Sequence, residues 1–216
     1  PNSRYQGGVY TGGGTDAVLW NNGPVSDGVN GANPISQLIA PNSTFGAGAQ
    51  TTATNAVAED FVVGAGGWNV NQLTFFMYQT GATAFSFTGL NYQITTNNAD
   101  PIAWTAGAAN NGGFAAYRVL STTPADTNRP IFAIQVPVNI SLSPGNYFLR
   151  WQASGSLASG PWQPPVAPFV AGNATQSITG GAFAPLIDAG GQLNMELPFK
   201  IDGTVAPAPG SLGLLG

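Results

Sequence analysis

The chain contains no histidine and no cysteine. Imidazole bases, thiol nucleophiles, disulfides and the usual zinc and iron–sulfur ligand sets therefore lie outside its chemistry. Nine carboxylates among 216 residues remain for acid–base work. A glycosidase needs two of them facing one cleft. Glu59 and Asp60 are adjacent, and neighbouring side chains on a strand point to opposite faces. Glu196 and Asp202 would share a face of one strand but stand about 20 Å apart. An enzyme would need two of Asp16, Asp27, Asp100, Asp126 and Asp188 to converge, and no acid–base motif links them. No catalytic residue is assigned, and the chain is read as a non-enzyme.

Two polar stretches carry oxygen ligands of the kind that Ca²⁺ takes in loops, Asp126-Thr127-Asn128 and Asn97-Asn98-Ala99-Asp100. Asp126 and Asn128 are the candidate Ca²⁺ ligands. The competing reading is that these Asx residues form turns on their own backbone, with Arg129 pairing to Asp126. No other cofactor is expected. Five tryptophans raise a second chemistry, the stacking of indole rings on sugars. Trp68, Trp104 and Trp151 lie in or beside apolar runs and read as core. Trp20, next to Asn21-Asn22, and Trp162, between Pro161 and Gln163, read as exposed and are the candidate glycan-binding residues. The other reading of Trp162 is a staple for its proline-rich loop.

The elements that must position these residues are strands. No helix-length window shows a 3.6-residue period, and short runs rich in β-branched and aromatic residues alternate with Gly, Pro, Asn and Ser clusters. Strands are predicted at Ala17–Trp20, Ile35–Ala40, Val57–Val63, Trp68–Gln79, Phe85–Thr95, Phe114–Leu120, Ile131–Leu142, Asn146–Gln152, Phe169–Ala171 and Met195–Ile201. Leu73, Phe75 and Met77 alternate with Thr74, Phe76 and Tyr78, which marks a central strand covered on both faces. Leu142–Tyr147 is expected to be a hairpin turn. The fold class is all-β: a two-sheet antiparallel sandwich, jelly-roll in topology. One domain is expected over residues 1–203, followed by a Pro/Gly/Leu-rich tail, 204–216.

Charge is scarce: five Lys and Arg with nine Asp and Glu make 6% of the chain, against about 25% in an ordinary soluble domain. Five scattered cations cannot form a nucleic-acid footprint, and no apolar run approaches the ~20 residues of a membrane span. The polar surface must come from Asn, Gln, Ser and Thr, which repel their copies weakly and respond little to salt. The first residues, Pro1-Asn2-Ser3-Arg4-Tyr5, read as a mature chain after removal of an export signal.

The tail Pro207-Ala208-Pro209-Gly210-Ser211-Leu212-Gly213-Leu214-Leu215-Gly216 resembles the sorting tag of PEP-CTERM proteins, exported bacterial proteins handled by an exosortase. Ala208 stands where that family has an acidic residue, and the sequence ends before the family's membrane helix and basic cluster. Residues 57–203 resemble an uncharacterised secreted bacterial β-sandwich domain found beside such tags, through Trp68–Gln79, Tyr117–Pro124, Thr127–Ile131 and Leu157–Trp162. The resemblance implies a secreted, extracellular or cell-surface location and supplies no catalytic residue. Leu212, Leu214 and Leu215 would leave an apolar patch bare in a monomer. They are therefore expected to contact a neighbouring subunit by strand addition, or else to fold back on their own sandwich. The expected function is a structural subunit of an extracellular filament, sheath or biofilm matrix whose partners are copies of itself. The alternative is a module that binds surface polysaccharide through Trp162 or Trp20.

Overall fold

The computed structural model describes residues 17–206. In chain order the strands are β1 (Ala17–Asn21), β2 (Gly28–Asn30), β3 (Asn33–Leu38), β4 (Ala47–Gly48) and β5 (Ala56–Val63). There follow β6 (Trp68–Tyr78), β7 (Phe87–Thr95), β8 (Thr105–Gly107), β9 (Asn110–Leu120) and β10 (Pro130–Leu142). The last five are β11 (Gly145–Gly155), β12 (Trp162–Gln163), β13 (Thr175–Ser177), β14 (Ala184–Pro185) and β15 (Phe199–Val205).

These strands make two sheets. The larger runs β1-β15-β6-β10-β9-β3-β2, with β12 on the end of β6 and β4 beside it; the smaller runs β14-β13-β5-β11-β7-β8. Every strand ladder is antiparallel except β3 on β9. Consider β1, β5, β6, β7, β8, β10, β11 and β15 as eight strands in chain order. In the larger sheet the first pairs with the eighth and the third with the sixth, and in the smaller the second pairs with the seventh and the fourth with the fifth. That interleaving is the jelly roll.

The predicted two-faced character of the central strand is present. Leu73, Phe75 and Met77 enter the main core between the sheets, while Phe76 and Tyr78 enter a second cluster on the outer face of the larger sheet. β10 divides in the same way, with Phe132, Ile134 and Val136 inward and Ile131 and Ala133 outward. Phe45 and Trp162 pack on that outer cluster.

Three strand expectations need correction. Leu142–Tyr147 is a tight turn but not a hairpin. β10 is flanked on both edges by β6 and β9, so no edge is free and the chain crosses to the other sheet, where β11 inserts between β5 and β7. The Tyr147 hydroxyl donates to the Ser143 carbonyl (3.0 Å) and ties this corner. Phe169–Ala171 is irregular. The last strand starts at Phe199 rather than Met195, because Pro198 has no N–H to give a ladder.

Candidate functional site

Among the described residues no ionisable side chain is exposed. Glu59, Arg118, Arg150, Asp188, Glu196, Lys200 and Asp202 are buried, and Asp27, Asp60, Asp100, Asp126 and Arg129 are half-buried. Burying a charge is costly unless it is paired and hydrogen-bonded, and each of these has a partner inside the fold.

Arg118 on β9 donates to the carbonyls of Phe45 (2.9 Å), Gln37 (2.9 Å) and Thr44 (3.1 Å) and to the Ser36 hydroxyl (3.2 Å). Burial pushes its pKa down to about 10, against the opposing pull of Tyr78, Asp27 and Asp188. The Tyr78 phenol is pushed up to about 12 by burial, with Arg118 and Arg129 opposing. Asp188 receives the amide N–H groups of Ser43, Thr44, Gly190 and Gly191. Burial alone would raise its pKa, but those amides and the Thr44 hydroxyl outweigh it and hold the carboxyl below its usual value. Lys200 and Asp202 pair at 3.2 Å on the outer face of β15.

The two loops read as Ca²⁺ candidates already hold a cation, an arginine in each case. Around Arg150 the Asn98 Oδ1 (3.0 Å), Gln93 Oε1 (3.1 Å), Asp100 carbonyl (3.0 Å) and Asn97 carbonyl (3.1 Å) accept its N–H groups, and Phe183 lies 4.9 Å away beneath the guanidinium. Asp126 accepts the Asn128 amide on Oδ1 in an Asx turn and the Arg129 guanidinium on Oδ2 (2.8 Å). Both carboxylate oxygens of Asp126 are thus engaged, as the turn reading expects.

Of the other acids, Asp27 accepts the Gln37 amide and Asp100 accepts the Thr95 hydroxyl; Asp16 lies outside the described residues. Glu59 and Asp60 point to opposite faces as read. Glu59 shares the inward face of β5 with Val57 and Phe61. Glu196 precedes β15 and so shares no strand face with Asp202.

The structure brings together an acid pair that strand spacing did not reveal. Glu59 Oε2 accepts the Leu197 amide (2.9 Å), next to Glu196, whose Oε1 accepts the Asn22 side chain (3.0 Å). Burial, and then the neighbouring Glu196 carboxylate, raise the Glu59 pKa well above its usual value. Both side chains are sealed from solvent, so this pair is a polar joint in the core.

Trp20 is a correction. It is 4% exposed and belongs to the main core, and its Nε1 donates to Asn22 Oδ1 (3.3 Å). A bulge between Val18 and Trp20 turns both Leu19 and Trp20 inward. Trp162 is half-buried on the outer cluster, and its Nε1 donates to Ser159 Oγ (3.2 Å), the staple geometry. Of the three tryptophans read as core, Trp68 and Trp151 are buried and Trp104 is half-buried.

Three half-buried rings gather elsewhere, in an open groove of about 540 Å³ where the inner faces of the two sheets reach the edge of the sandwich. Phe85 leads into β7, and Phe114 and Tyr117 come from β9. Their rings form a chain. Phe114 lies 4.6 Å from Tyr117 and 6.2 Å from Phe132, and Phe85 lies 5.8 Å from Phe132. At strict alternation Phe114 and Tyr117, three apart, would face opposite ways. The β9–β10 register slips there: Tyr117 stands opposite Pro130 and Phe114 opposite Phe132, with an extra residue on β9. That bulge swings both rings to one side.

The walls are tied down. The Gly81 amide donates to the Asn128 carbonyl (2.7 Å), the Arg118 amide donates to the Arg129 carbonyl (2.9 Å), and the Arg129 guanidinium lies 4.1 Å from the Phe45 ring centre. Asn111, Thr83 and Thr127 stand exposed along the rim.

The fold and these features define a jelly-roll β-sandwich whose described residues include no exposed ionisable side chain, with an aromatic groove at one edge. Comparison with known protein families, curated proteins and solved structures yields no match. Leu212, Leu214, Leu215 and the tag-like Pro207–Gly216 lie outside the described residues. No helix of the described residues is long and apolar enough to cross a membrane.

Proposed function

We propose that this protein is a secreted structural subunit of an extracellular filament, sheath or biofilm matrix, joined to its copies by neutral polar and apolar contacts. The observation that carries this reading is the absence of any exposed ionisable side chain among the described residues. Soluble domains ordinarily keep apart by interspersed surface charge. Here the outward-facing groups are Asn, Ser, Thr and Gly together with aliphatic side chains, among them Val29 (73% exposed), Ile178 (60%) and Val205 (59%). Contacts between such surfaces carry almost no charge repulsion and no desolvation penalty for ions. They also keep their strength in any salt, which suits work outside the cell. The tail's likeness to an export tag supports the location, and Leu212, Leu214 and Leu215 are the terminal residues proposed to contact a neighbour.

Electron microscopy of the concentrated full chain tests the proposal. Ordered polymers or sheets are expected, and dispersed single particles at every concentration would reject it.

A further inference from the structure

We infer that the groove formed by Phe85, Phe114 and Tyr117 binds a neutral polysaccharide chain. A sugar ring presents apolar C–H faces and a rim of hydroxyls, so it needs flat aromatic surfaces flanked by neutral donors and acceptors. The groove supplies both. The rings of Phe85, Phe114 and Tyr117 are each only half-buried. Around them, the Tyr117, Thr83 and Thr127 hydroxyls and the Asn111 side-chain NH₂ make no hydrogen bond with the described residues, although Asn111 Oδ1 accepts the Gly113 amide (2.9 Å). What sets the groove apart is the juxtaposition: these open polar groups stand beside three half-buried rings in one cleft.

Charge selects the class of occupant. Both cations next to the groove wall in sequence are engaged: Arg129 is paired to Asp126 and laid on Phe45, and Arg118 is buried on main-chain carbonyls. An acidic saccharide or a nucleic acid would therefore meet no free positive charge, whereas an uncharged chain loses nothing. The volume of about 540 Å³ falls in the range of small-ligand clefts, ~300–1,000 Å³. The fixed walls mean that little ordering entropy is lost on binding. This inference rests on rings and hydroxyls, the assembly proposal on surface charge, so each can fail without the other.

The test is isothermal titration calorimetry of the full chain. The probes are neutral oligosaccharides of β-1,4-, β-1,3- and α-1,4-glucose, β-1,4-mannose and β-1,4-N-acetylglucosamine, with oligogalacturonate as the acidic comparator. At least one neutral probe is expected to bind saturably and oligogalacturonate not to bind. Tyr117→Ala should weaken the neutral complex by about tenfold or more. Asn111→Asp keeps the acceptor for Gly113 but removes the NH₂ and adds a charge, and being exposed it leaves the fold intact; it should weaken the complex comparably. Sedimentation of both variants should match that of the parent. Failure of every neutral probe to bind, equal binding of oligogalacturonate, or unchanged affinity in Asn111→Asp would overturn the inference.

Discussion

Replacing Arg118 by Met tests most sharply the idea that this protein uses its charges as internal ties. The side chain is 1% exposed and holds three main-chain carbonyls and a serine hydroxyl on one fork. Met matches most of the apolar stem but donates nothing. The three carbonyls cannot be mutated away, and a buried acceptor left unpaired costs about 1–3 kcal/mol. Gln37, Thr44 and Phe45 are only half-buried, so water would partly re-satisfy them. The net loss is about 3–5 kcal/mol, the usual scale for breaking a buried charged network, against a total stability of about 5–15 kcal/mol. With a urea slope of about 1–3 kcal/mol per molar, the unfolding midpoint should fall by about 1–2 M or more. Arg118→Lys should recover only a minor part, since one ammonium cannot reach Phe45, Gln37 and Thr44 in fork geometry. An unfolding free energy within about 1 kcal/mol of the parent for Arg118→Met would refute the assignment.

Four further outcomes follow from the same structure. Glu59 has its pKa raised in the fold by burial and by Glu196. The folded state therefore holds a proton that the unfolded chain releases above pH ~4.5. Stability should decline as pH rises from there, by at most about 1.4 kcal/mol per pH unit, and urea midpoints across pH 4–8 should lose this slope in Glu59→Gln. Asp188, held below its usual pKa, works the other way, and its contribution should be lost as pH falls below ~3.8. Gly172 leaves no room for a Cβ, which would overlap the Glu196 carboxylate; Gly172→Ala should destabilise by about 1–3 kcal/mol in the same assay. Val29→Lys with Ile178→Lys places charge on bare apolar positions; light scattering should show less association at low salt, with partial recovery when salt screens the charge.

Periodicity and turn chemistry made the sandwich legible, because β6 is so apolar on both faces that only a central strand could hold it. Pairing between sheets was less legible. The Ser143-Pro144-Gly145 turn looks the same whether it closes a hairpin or a sheet-to-sheet corner, and the choice depends on β6 and β9 having already taken both edges of β10. Bulges hid the aromatic groove and the burial of Trp20. One extra residue in β9 aligns Phe114 with Tyr117, and another near Leu19 turns Trp20 inward, and neither leaves a mark in local composition. Asn22 reads as solvent-facing, yet it is buried because it serves Glu196 from a distant stretch of chain. Such a partner is visible only once the strands are in place. The arginine cages could have been suspected from Asn97–Asp100, where oxygen ligands wait for a cation that composition limits to five candidates.

Sedimentation velocity of the full chain, over rising concentration in low and in high salt, bears most directly on a surface stripped of charge. Species well above 22.0 kDa that grow with concentration and persist unchanged in high salt are predicted. A single 22.0 kDa boundary at millimolar protein, or assemblies that dissolve when salt is added, would contradict it.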